Sequence, residues 1–446
     1  MPDMSFLSSS PKTSGIWHQA PAGHETSVRG VRVAATIMAI TVAAMISIGL
    51  IMLYSAKSEA PDTASKSVQV THSQGEQTPA QPKPKPAPEV VKLLRVQLLA
   101  AALGAVACGV LSFIDYRLLK KYALPIYAFS LILLAITLIP GIGVMKNGAR
   151  RWLDFKFLLF QPSEVGKIAL IVMVAWYGDR YQRLMNQFVK GLIFPGLIAA
   201  LTLALVFLEP DWGTTVLLAA VTGTLLVAAG GPFWTMFSIG IAGLAGLAVM
   251  IMNDDVRRRR VLGWLNPEEH KQGVGYQTHQ AILALGSGGE SGVGLGNGTQ
   301  KLGFVPEHHT DFILSVIGEE LGLQMTLAII LLYIVFALCG VRIAFQAKDR
   351  FGYLLATGIT FLISFQAMIN IGVVTGALPN KGLPLPFISY GGSSLLMLLI
   401  SIGLLFSVAR HWNAPLKRDE NEVEPESPTT KAQTIREDHP FTSTAS

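Results

Sequence analysis

The feature that most constrains this chain is a series of long apolar blocks that carry almost no charge. A helix that crosses about 30 Å of hydrocarbon needs roughly 20 consecutive apolar residues. Only 14% of the residues are charged, whereas soluble proteins carry about a quarter. Since open sheets cannot satisfy their backbone polar groups in lipid, the blocks predict an all-α polytopic membrane protein. We predict about ten transmembrane helices, at residues 33–54, 93–114, 122–139, 162–177, 192–208, 212–229, 233–252, 318–343, 353–375 and 393–410.

Short basic segments predict how these helices are oriented. Segments 117–121, 180–190 and 348–350, which follow the second, fourth and eighth predicted spans, are rich in lysine and arginine. The positive-inside rule places them, and therefore both termini, in the cytoplasm. Residues 1–30 lack the apolar core and cleavage site of a signal peptide, so we expect the first span to remain as an anchor.

Two basic loops fall on the outer side in this orientation, against the positive-inside bias. One contains Lys146, Arg150, Arg151 and Lys156, and the other begins with Arg257–Arg260. Basic groups placed there favour a site for an anionic ligand such as a lipid pyrophosphate. Attraction to anionic lipid headgroups is the alternative for each loop taken alone.

The remaining composition predicts the domain organisation. Residues 1–30 are a polar cytoplasmic tail, 31–411 form the membrane domain, and 412–446 are a disordered cytoplasmic tail. Segment 57–90 is rich in Pro, Lys and Gln and predicts a flexible outer insert. A large outer loop, 253–311, separates the seventh and eighth spans, and loops of this length are usually functional.

Two features stand out within this outer loop. Residues 275–285 predict a short amphipathic helix at the membrane interface, and a glycine-rich run follows up to Gly298. Glycine allows tight turns and close approach of the backbone to a ligand. A flexible loop is the alternative interpretation of the run.

The segment 304–313 is the best candidate for chemistry, because Glu307, His308, His309 and Asp311 come together where the eighth span begins. A carboxylate at the mouth of a helical bundle can act as a general base. A helix cap formed by Thr310 or Asp311 is the structural alternative. A tight zinc site is not expected; Mg²⁺ bound with a substrate pyrophosphate fits the residues better.

Helical spacing adds two expectations about the eighth span. If a helix begins near Asp311, then Ser315, Gly318 and Gly322 share its face and leave an open groove beside the carboxylate. Glu319 and Glu320 lie about two turns deeper, where acidic residues in a membrane helix are usually functional.

Polar clusters also occur at the ends of other spans, in segments 147–167, 209–215 and 379–394. Glu164 and Lys167 are three residues apart and can pair on one helix. Each cluster alone has a structural interpretation, since proline makes sharp turns and glycine permits close helix packing. We predict that the clusters share the outer face with both basic loops.

In these motifs the chain resembles the SEDS family (shape, elongation, division and sporulation) of peptidoglycan glycosyltransferases. The resemblance spans about 31–411 and rests on five motifs, at 147–167, 210–215, 259–267, 302–322 and 369–394. Segment 378–394 is more similar to the division branch than to the elongation branch; the sporulation branch is a third alternative. The long insert 57–90 and Trp212 in the Pro-Asp-x-Gly motif depart from the family pattern.

The resemblance implies a reaction and a set of residues. Asp311 would be the general base as lipid II is polymerised into β-1,4 glycan strands with inversion, and undecaprenyl pyrophosphate would leave. A divalent cation, Mg²⁺ or Mn²⁺, would assist without a tight protein site. Candidate substrate-binding residues are Arg150, Lys156, Lys167, Arg257, Arg258, Arg259, Arg260, His309, Lys381 and Ser393.

The resemblance also implies partners and leaves rival functions. A class B penicillin-binding protein would cross-link the new strand, other division proteins would regulate the enzyme, and no nucleic acid is expected. A lipid II flippase is the main alternative, and a division scaffold is another. A flippase needs a polar path through the bilayer, whereas an enzyme needs its base beside the outer basic loops. The position of Asp311 at the outer mouth favours the enzyme.

Overall fold

The structure is a computed structural model that describes residues 24–57, 88–146, 149–154, 159–266, 275–299, 310–380 and 382–411. Helices account for most of these residues. They are α1 His24–Lys57, α2 Pro88–Phe113, α3 Arg117–Lys121, α4 Ala123–Leu138, α5 Pro162–Arg180, α6 Phe194–Leu208, α7 Trp212–Ala228, α8 Phe233–Met252, α9 Asp255–Leu265, α10 Tyr276–Gly288, α11 Ile313–Phe345, α12 Arg350–Val374 and α13 Gly392–Arg410. Short 3₁₀ and π segments, Gln182–Leu184 and Phe188–Ile193, precede α6.

All predicted spans coincide with helices, which is the pattern of a multi-pass membrane protein. In the described ranges, seven helical segments are long and apolar enough to cross a membrane: α1, α2, Phe188–Leu208, α8, α11, α12 and α13. The apolar helices α4 and α7 are shorter. Helix α5 is 19 residues long but less apolar than these, and most of its residues are buried.

Helix α12 lies at the centre of the bundle, where it packs against α5, α7 and α11. Helix α13 packs along α2, and α1 packs against α11. None of the residues of α8 is buried, so nearly the whole helix is available to lipid. The candidate motifs near α11 and α12 therefore adjoin the central helix of the bundle.

A small sheet forms between α4 and α5, so the all-α prediction is wrong for this loop. Strands β1 Gly143–Lys146, β2 Ala149–Asp154 and β3 Leu159–Phe160 pair antiparallel in the order β1-β2-β3. The rule that excludes open sheets applies to backbone exposed to lipid. These strands lie outside the apolar blocks, so the rule does not restrict them.

The outer loop contains two helices. The predicted helix 275–285 is confirmed as α10, Tyr276–Gly288, while α9 before it was not predicted. Helix α10 packs against α11 and buries Ala281 and Ala284. At its end, a Cβ on Gly288 would overlap the carbonyl oxygen of Gly318, so glycine is required for this contact.

The glycine-rich run contacts α11 at a break in that helix. Gly322 has φ 75°, which interrupts α11. Next to the break, Val293 N donates to Glu319 O at 3.0 Å, Gly294 N donates to Glu320 O at 2.9 Å, and Leu323 N donates to Gly289 O at 2.9 Å. The run therefore satisfies backbone groups that a broken helix would leave unpaired.

This packing corrects the predicted open groove beside the catalytic candidate. Gly318 faces Leu285 and Gly288, and Gly322 faces Glu290 and Gly292, so α10 and the glycine-rich run fill the groove. The small residues allow close packing of backbone on backbone.

The two deeper acids are also bound within the protein. Glu319 accepts from Thr299 N at 2.7 Å, and Glu320 accepts from Gly296 N at 3.1 Å and from the Ser55 hydroxyl. Buried carboxylates with hydrogen-bond donors are stabilised in place. These acids connect the glycine-rich run to α11 and to the end of α1.

Candidate active site

The backbone on both sides of the Asp311 side chain is held by other parts of the fold. Ser389 Oγ donates to Thr310 O at 2.6 Å, and Asn370 Nδ2 donates to Asp311 O at 2.7 Å. Helix α11 begins at Ile313 with Phe312 as its N-cap residue, close to the predicted start. The N-cap position is therefore not occupied by Thr310 or Asp311.

The Asp311 carboxylate lies against Gly382. A Cβ placed on Gly382 would be 2.7 Å from Asp311 Oδ2, and among the described residues it would meet only the Asp311 carboxyl group within 4 Å. Gly382 is exposed and lines a cleft. The carboxylate is thus placed next to the wall of an open site, which suits a general base.

The cleft encloses about 930 Å³, part of it open to solvent. Its lining residues come from five separate parts of the chain. It is lined by Arg151 of β2, by Pro210, Asp211, Trp212 and Gly213 around the start of α7, by Leu247 and Ile251 of α8, by Arg260 and Val261 of α9, and by Pro379, Asn380 and Gly382. The prediction that the polar clusters and both basic loops meet on one face agrees with this lining.

Hydrogen bonds fix the walls of the cleft to one another. Trp264 Nε1 donates to Gly376 O at 2.7 Å, and Asn380 Nδ2 donates to Gln277 Oε1 at 2.7 Å. Helices α9 and α10 are therefore tied to the segment that precedes Gly382.

Arg151 and Arg260 give the cleft two positive charges in different settings. Arg151 Nε donates to Glu209 O at 2.9 Å, and its Nη1 lies 3.9 Å from Asp211 Oδ2. Asp211 in turn accepts from Thr214 N at 3.2 Å as the N-cap of α7. Arg260 is exposed on α9 and has no ion pair within the described residues. A pair of guanidinium groups suits a phosphate ligand.

Glu209 is a fully buried acid beside this cleft. Thr137 Oγ1 donates to its Oε1, whereas Oε2 has no hydrogen-bond partner in the described part of the chain. The pKa of Glu209 is raised to about 7: burial is the main cause and Asp211 adds to it, while the Thr137 hydrogen bond and Arg151 act in the opposite direction.

The predicted pair of Glu164 and Lys167 is confirmed, and both side chains are buried. Lys167 Nζ lies 2.8 Å from Glu164 Oε2. It also donates to Gln366 Oε1 at 3.3 Å, and Gln366 Nε2 donates to Pro384 O at 2.9 Å. Lys167 is therefore linked through Gln366 to the segment after Gly382, and it is not among the residues that line the cleft.

The other candidate residues are distributed around this centre. Arg150 lies on β2 beside Arg151, Arg258 and Arg259 are exposed on α9, and Ser393 is buried in the first turn of α13. Arg258 pairs with Asp255 at 3.1 Å. Lys156, His309 and Lys381, as well as the side chain of Arg257, lie outside the described residues.

No group of three or more His, Cys, Asp or Glu side chains that could hold a metal occurs among the described residues. His308 and His309 fall outside them. Asp211, which lines the cleft, is engaged as the N-cap of α7. In its described part, the cleft therefore offers guanidinium groups that suit an anion. Its carboxylate, Asp211, is already hydrogen-bonded within the protein.

Several residues of this site were not found from the sequence. Arg151 belongs to the basic loop predicted to bind an anion, but Arg150 was chosen from that loop as the substrate-binding candidate; Asn370 and Gly382 had no assigned role. Arg150 pairs with Met145 and Trp152 pairs with Val144, so Arg151 is the extra residue of a β-bulge in β2, and simple alternation along the strand does not tell the two arginines apart. No local pattern marks Asn370, because its partners are distant in the sequence.

Comparisons with known proteins decide the family. The sequence model of the FtsW/RodA/SpoVE family, described as cell cycle proteins, matches residues 88–414. The chain belongs to this family. The family membership predicted from the sequence motifs is thereby confirmed.

Individual members of the family support the assignment. The probable peptidoglycan glycosyltransferase FtsW of Geobacter metallireducens is 45% identical over 316 residues, which cover 71% of this chain and 84% of that protein. Stage V sporulation protein E of Bacillus subtilis is 36% identical over 316 residues, covering 71% and 86%. Each of these two alignments therefore covers most of the relative's length.

Solved structures show the same fold. A chain from work described as "Structural coordination of polymerization and crosslinking by a peptidoglycan synthase complex" has a TM-score of 0.67 and 27% identity, covering 85% of this chain and 98% of that one. The rod shape determining protein RodA of Thermus thermophilus has a TM-score of 0.59 and 26% identity, covering 85% and 97%. The bundle described above is thus the FtsW/RodA/SpoVE fold.

Proposed function

We propose that this chain is a peptidoglycan glycosyltransferase that polymerises lipid II for septal wall synthesis, with Asp311 as the general base. One observation carries the assignment of the base. The Asp311 carboxylate is positioned against Gly382, and Gly382 lines a cleft that also contains Arg151 and Arg260. Asp311 is not itself part of the cleft lining, but it lies next to a wall residue of a cleft that holds two cationic side chains. Relatives named as peptidoglycan glycosyltransferase FtsW support the reaction class.

The proposed reaction is an inverting displacement. Asp311 accepts the proton of the 4-hydroxyl group of GlcNAc on lipid II while that oxygen attacks the anomeric carbon of MurNAc on the growing strand. The bond from that carbon to the pyrophosphate oxygen breaks, and undecaprenyl pyrophosphate leaves with the negative charge. Arg151 and Arg260 stabilise this developing charge, since pre-placed cations act most strongly where charge appears in the transition state.

We propose the following setting for the enzyme. About ten helices span the bacterial inner membrane at the septum, both termini are cytoplasmic, and the cleft faces outward. Undecaprenyl-linked glycan enters from the bilayer, which suits the lipid-exposed helix α8 on one side of the cleft. The elongation role remains the alternative within the family; the 45% identity to a relative named FtsW supports division.

The partners follow from the same proposal. A class B penicillin-binding protein cross-links the new strand, in keeping with the synthase complex to which the fold is similar. Mg²⁺ or Mn²⁺ would be held by the pyrophosphate oxygens of the substrate, which are the ligands that these cations prefer, and would offset the charge there.

The decisive experiment measures lipid II polymerisation by the purified protein with its penicillin-binding protein and Mg²⁺ or Mn²⁺. We expect glycan strands from the wild type and a loss of at least about 100-fold for Asp311→Asn, because the amide cannot accept the proton. Folding and complex formation are measured for both proteins. Equal polymerisation by the two would remove Asp311 from its proposed role.

The same experiment separates the enzyme from a lipid II flippase. An intact, folded wild-type complex that forms no strands, yet moves lipid II between vesicle leaflets, would favour the flippase. The Asp311 carboxylate lies against Gly382, which lines the cleft together with Arg151 and Arg260, and this supports the enzyme.

A further inference from the structure

The backbone carbonyl groups of Thr310 and Asp311 each accept a hydrogen bond from a side chain of another segment. Ser389 Oγ, in the segment before α13, donates to Thr310 O at 2.6 Å. Asn370, in the last two turns of α12, donates to Asp311 O at 2.7 Å. Side chains placed in this way restrict the backbone of Asp311, and through it the position of the carboxylate.

Asn370 has a second contact that bears on the same carboxylate. Its amide nitrogen also donates to Leu383 O at 2.7 Å, and Leu383 follows Gly382, against which Asp311 Oδ2 lies. One buried amide group thus ties the residue that carries the carboxylate to the wall that the carboxylate touches.

The orientation of this amide is determined by its neighbours. Both adjacent groups are carbonyl oxygens, which only the NH₂ of Asn370 can donate to. Asn370 Oδ1 is consequently buried without a partner in the described part of the chain, and such a group is destabilising. An asparagine that keeps both donors engaged and leaves its acceptor unsatisfied indicates a requirement for the donors.

Gly382 completes the arrangement by having no side chain. A Cβ at this position would be 2.7 Å from Asp311 Oδ2, which is closer than such atoms approach without displacement. Alanine there would push the carboxylate away, and within the part of the chain that the structure describes it would meet no other group within 4 Å.

We propose that Asn370 is a positioning residue for the polymerisation reaction, which holds the Asp311 carboxylate at the Gly382 wall of the cleft. The inference rests on the proposed function of Asp311. Asn370 acts through Asp311 and the backbone of Leu383. Loss of Asn370 should therefore lower kcat, because a misplacement of about 1 Å at a reacting group reduces a rate by about 100-fold.

The test compares Asn370→Ala and Gly382→Ala with two matched controls in the complete complex with the penicillin-binding protein. Asn297→Ala removes an exposed asparagine that donates to Val293 O. Gly391→Ala adds a methyl group in the same segment as Gly382, and its one contact with a described residue is Ser394, at an ordinary 3.5 Å. Polymerisation kinetics and the thermal midpoint are measured for all of them.

We expect kcat to fall about 100-fold for Asn370→Ala and at least tenfold for Gly382→Ala, with KM for lipid II within about twofold. The pH dependence of kcat should also change for both variants, since the base is displaced. The controls should keep wild-type kinetics. A purely structural role would lower the thermal midpoint and the folded fraction without changing kcat per folded complex.

A wild-type kcat in either folded variant would overturn the inference, and if Asn370→Ala does not fold, Gly382→Ala decides. Asp311→Asn is measured in parallel. If it is inactive while both variants are fully active, only the positioning role fails. If Asp311→Asn polymerises like the wild type, the proposed base and the positioning role fail together.

Discussion

The two ends of the helical bundle are stabilised in different ways. At the end where α12 begins, the Asp349 carboxylate accepts hydrogen bonds from Arg117 Nε at 2.8 Å, Tyr116 Oη at 2.7 Å and Gly352 N at 2.7 Å. Lys120 and Asp179 pair nearby at 2.8 Å. At this end, charged side chains mostly bind one another.

At the opposite end, where α11 begins, polar side chains mostly bind the backbone. Asn370, Ser389, Gln366 and Arg151 each donate to carbonyl oxygens of other segments. Side-chain pairs join helices into a fixed bundle, whereas bonds to the backbone set the path of loops. The comparison teaches that the Asp311 end is built to place loops around a cleft, and the Asp349 end to hold the helices together.

Removing Asp349 is expected to have the largest effect on stability. Asp349→Ala removes the N-cap of α12 and the partner of Arg117 together. We expect a loss of about 3–4 kcal/mol in unfolding free energy, seen as a lower thermal midpoint in detergent. Polymerisation per folded molecule should remain that of the wild type. A change in kcat would show that the two ends are not separate in function.

The buried acid at the cleft end predicts a dependence of stability on pH. The pKa of Glu209 is raised from 4.5 to about 7, so between these values the unfolded chain releases a proton that the folded chain retains. The contribution of Glu209 to stability is therefore greatest below about pH 4.5 and is lost as the pH rises through 7. Asp211 and Arg151 face this carboxyl group and modulate its pKa.

Glu209→Gln removes this titration. We expect the variant to be more stable than the wild type at pH 8 by about 2–3 kcal/mol, and the two to converge at pH 5. Thermal midpoints across this range make the measurement, with the exposed Glu290→Gln as control. Parallel pH profiles for wild type and Glu209→Gln would contradict the prediction.

The smallest expected effect concerns the exposed arginine of the cleft. Arg260→Ala should raise KM for lipid II about five- to tenfold, and the difference should shrink at high salt because exposed charges are screened. Arg258→Ala is the matched control, since Arg258 pairs with Asp255 and does not line the cleft. Equal effects of the two substitutions would show that α9 attracts lipid through its net charge alone.

Much of the architecture was predictable from the sequence. Every long apolar block coincides with a helix, because helix formation in lipid depends on the composition of one contiguous segment. The pair of Glu164 and Lys167 was predictable for a similar reason, since residues three apart are neighbours on a helix. The motifs that carry the family resemblance are likewise contiguous.

Contacts between distant segments could not be read in this way. The sheet after α4, the docking of the glycine-rich run on α11, and the choice of Arg151 over Arg150 all depend on how segments pack. Asn370 and Asp311 are 59 residues apart, and no periodicity links them.

The sequence by itself determined that this protein is a bundle of apolar helices with its polar motifs at the helix ends. Only the tertiary structure decided which of those motifs meet. It places the Asp311 carboxylate against Gly382, in a segment that Asn370 holds through a hydrogen bond to Leu383 O. The physical reason is that hydrophobic burial in a membrane is a local property of each segment. The position of a catalytic group is instead set by a few directional hydrogen bonds between segments far apart in the chain.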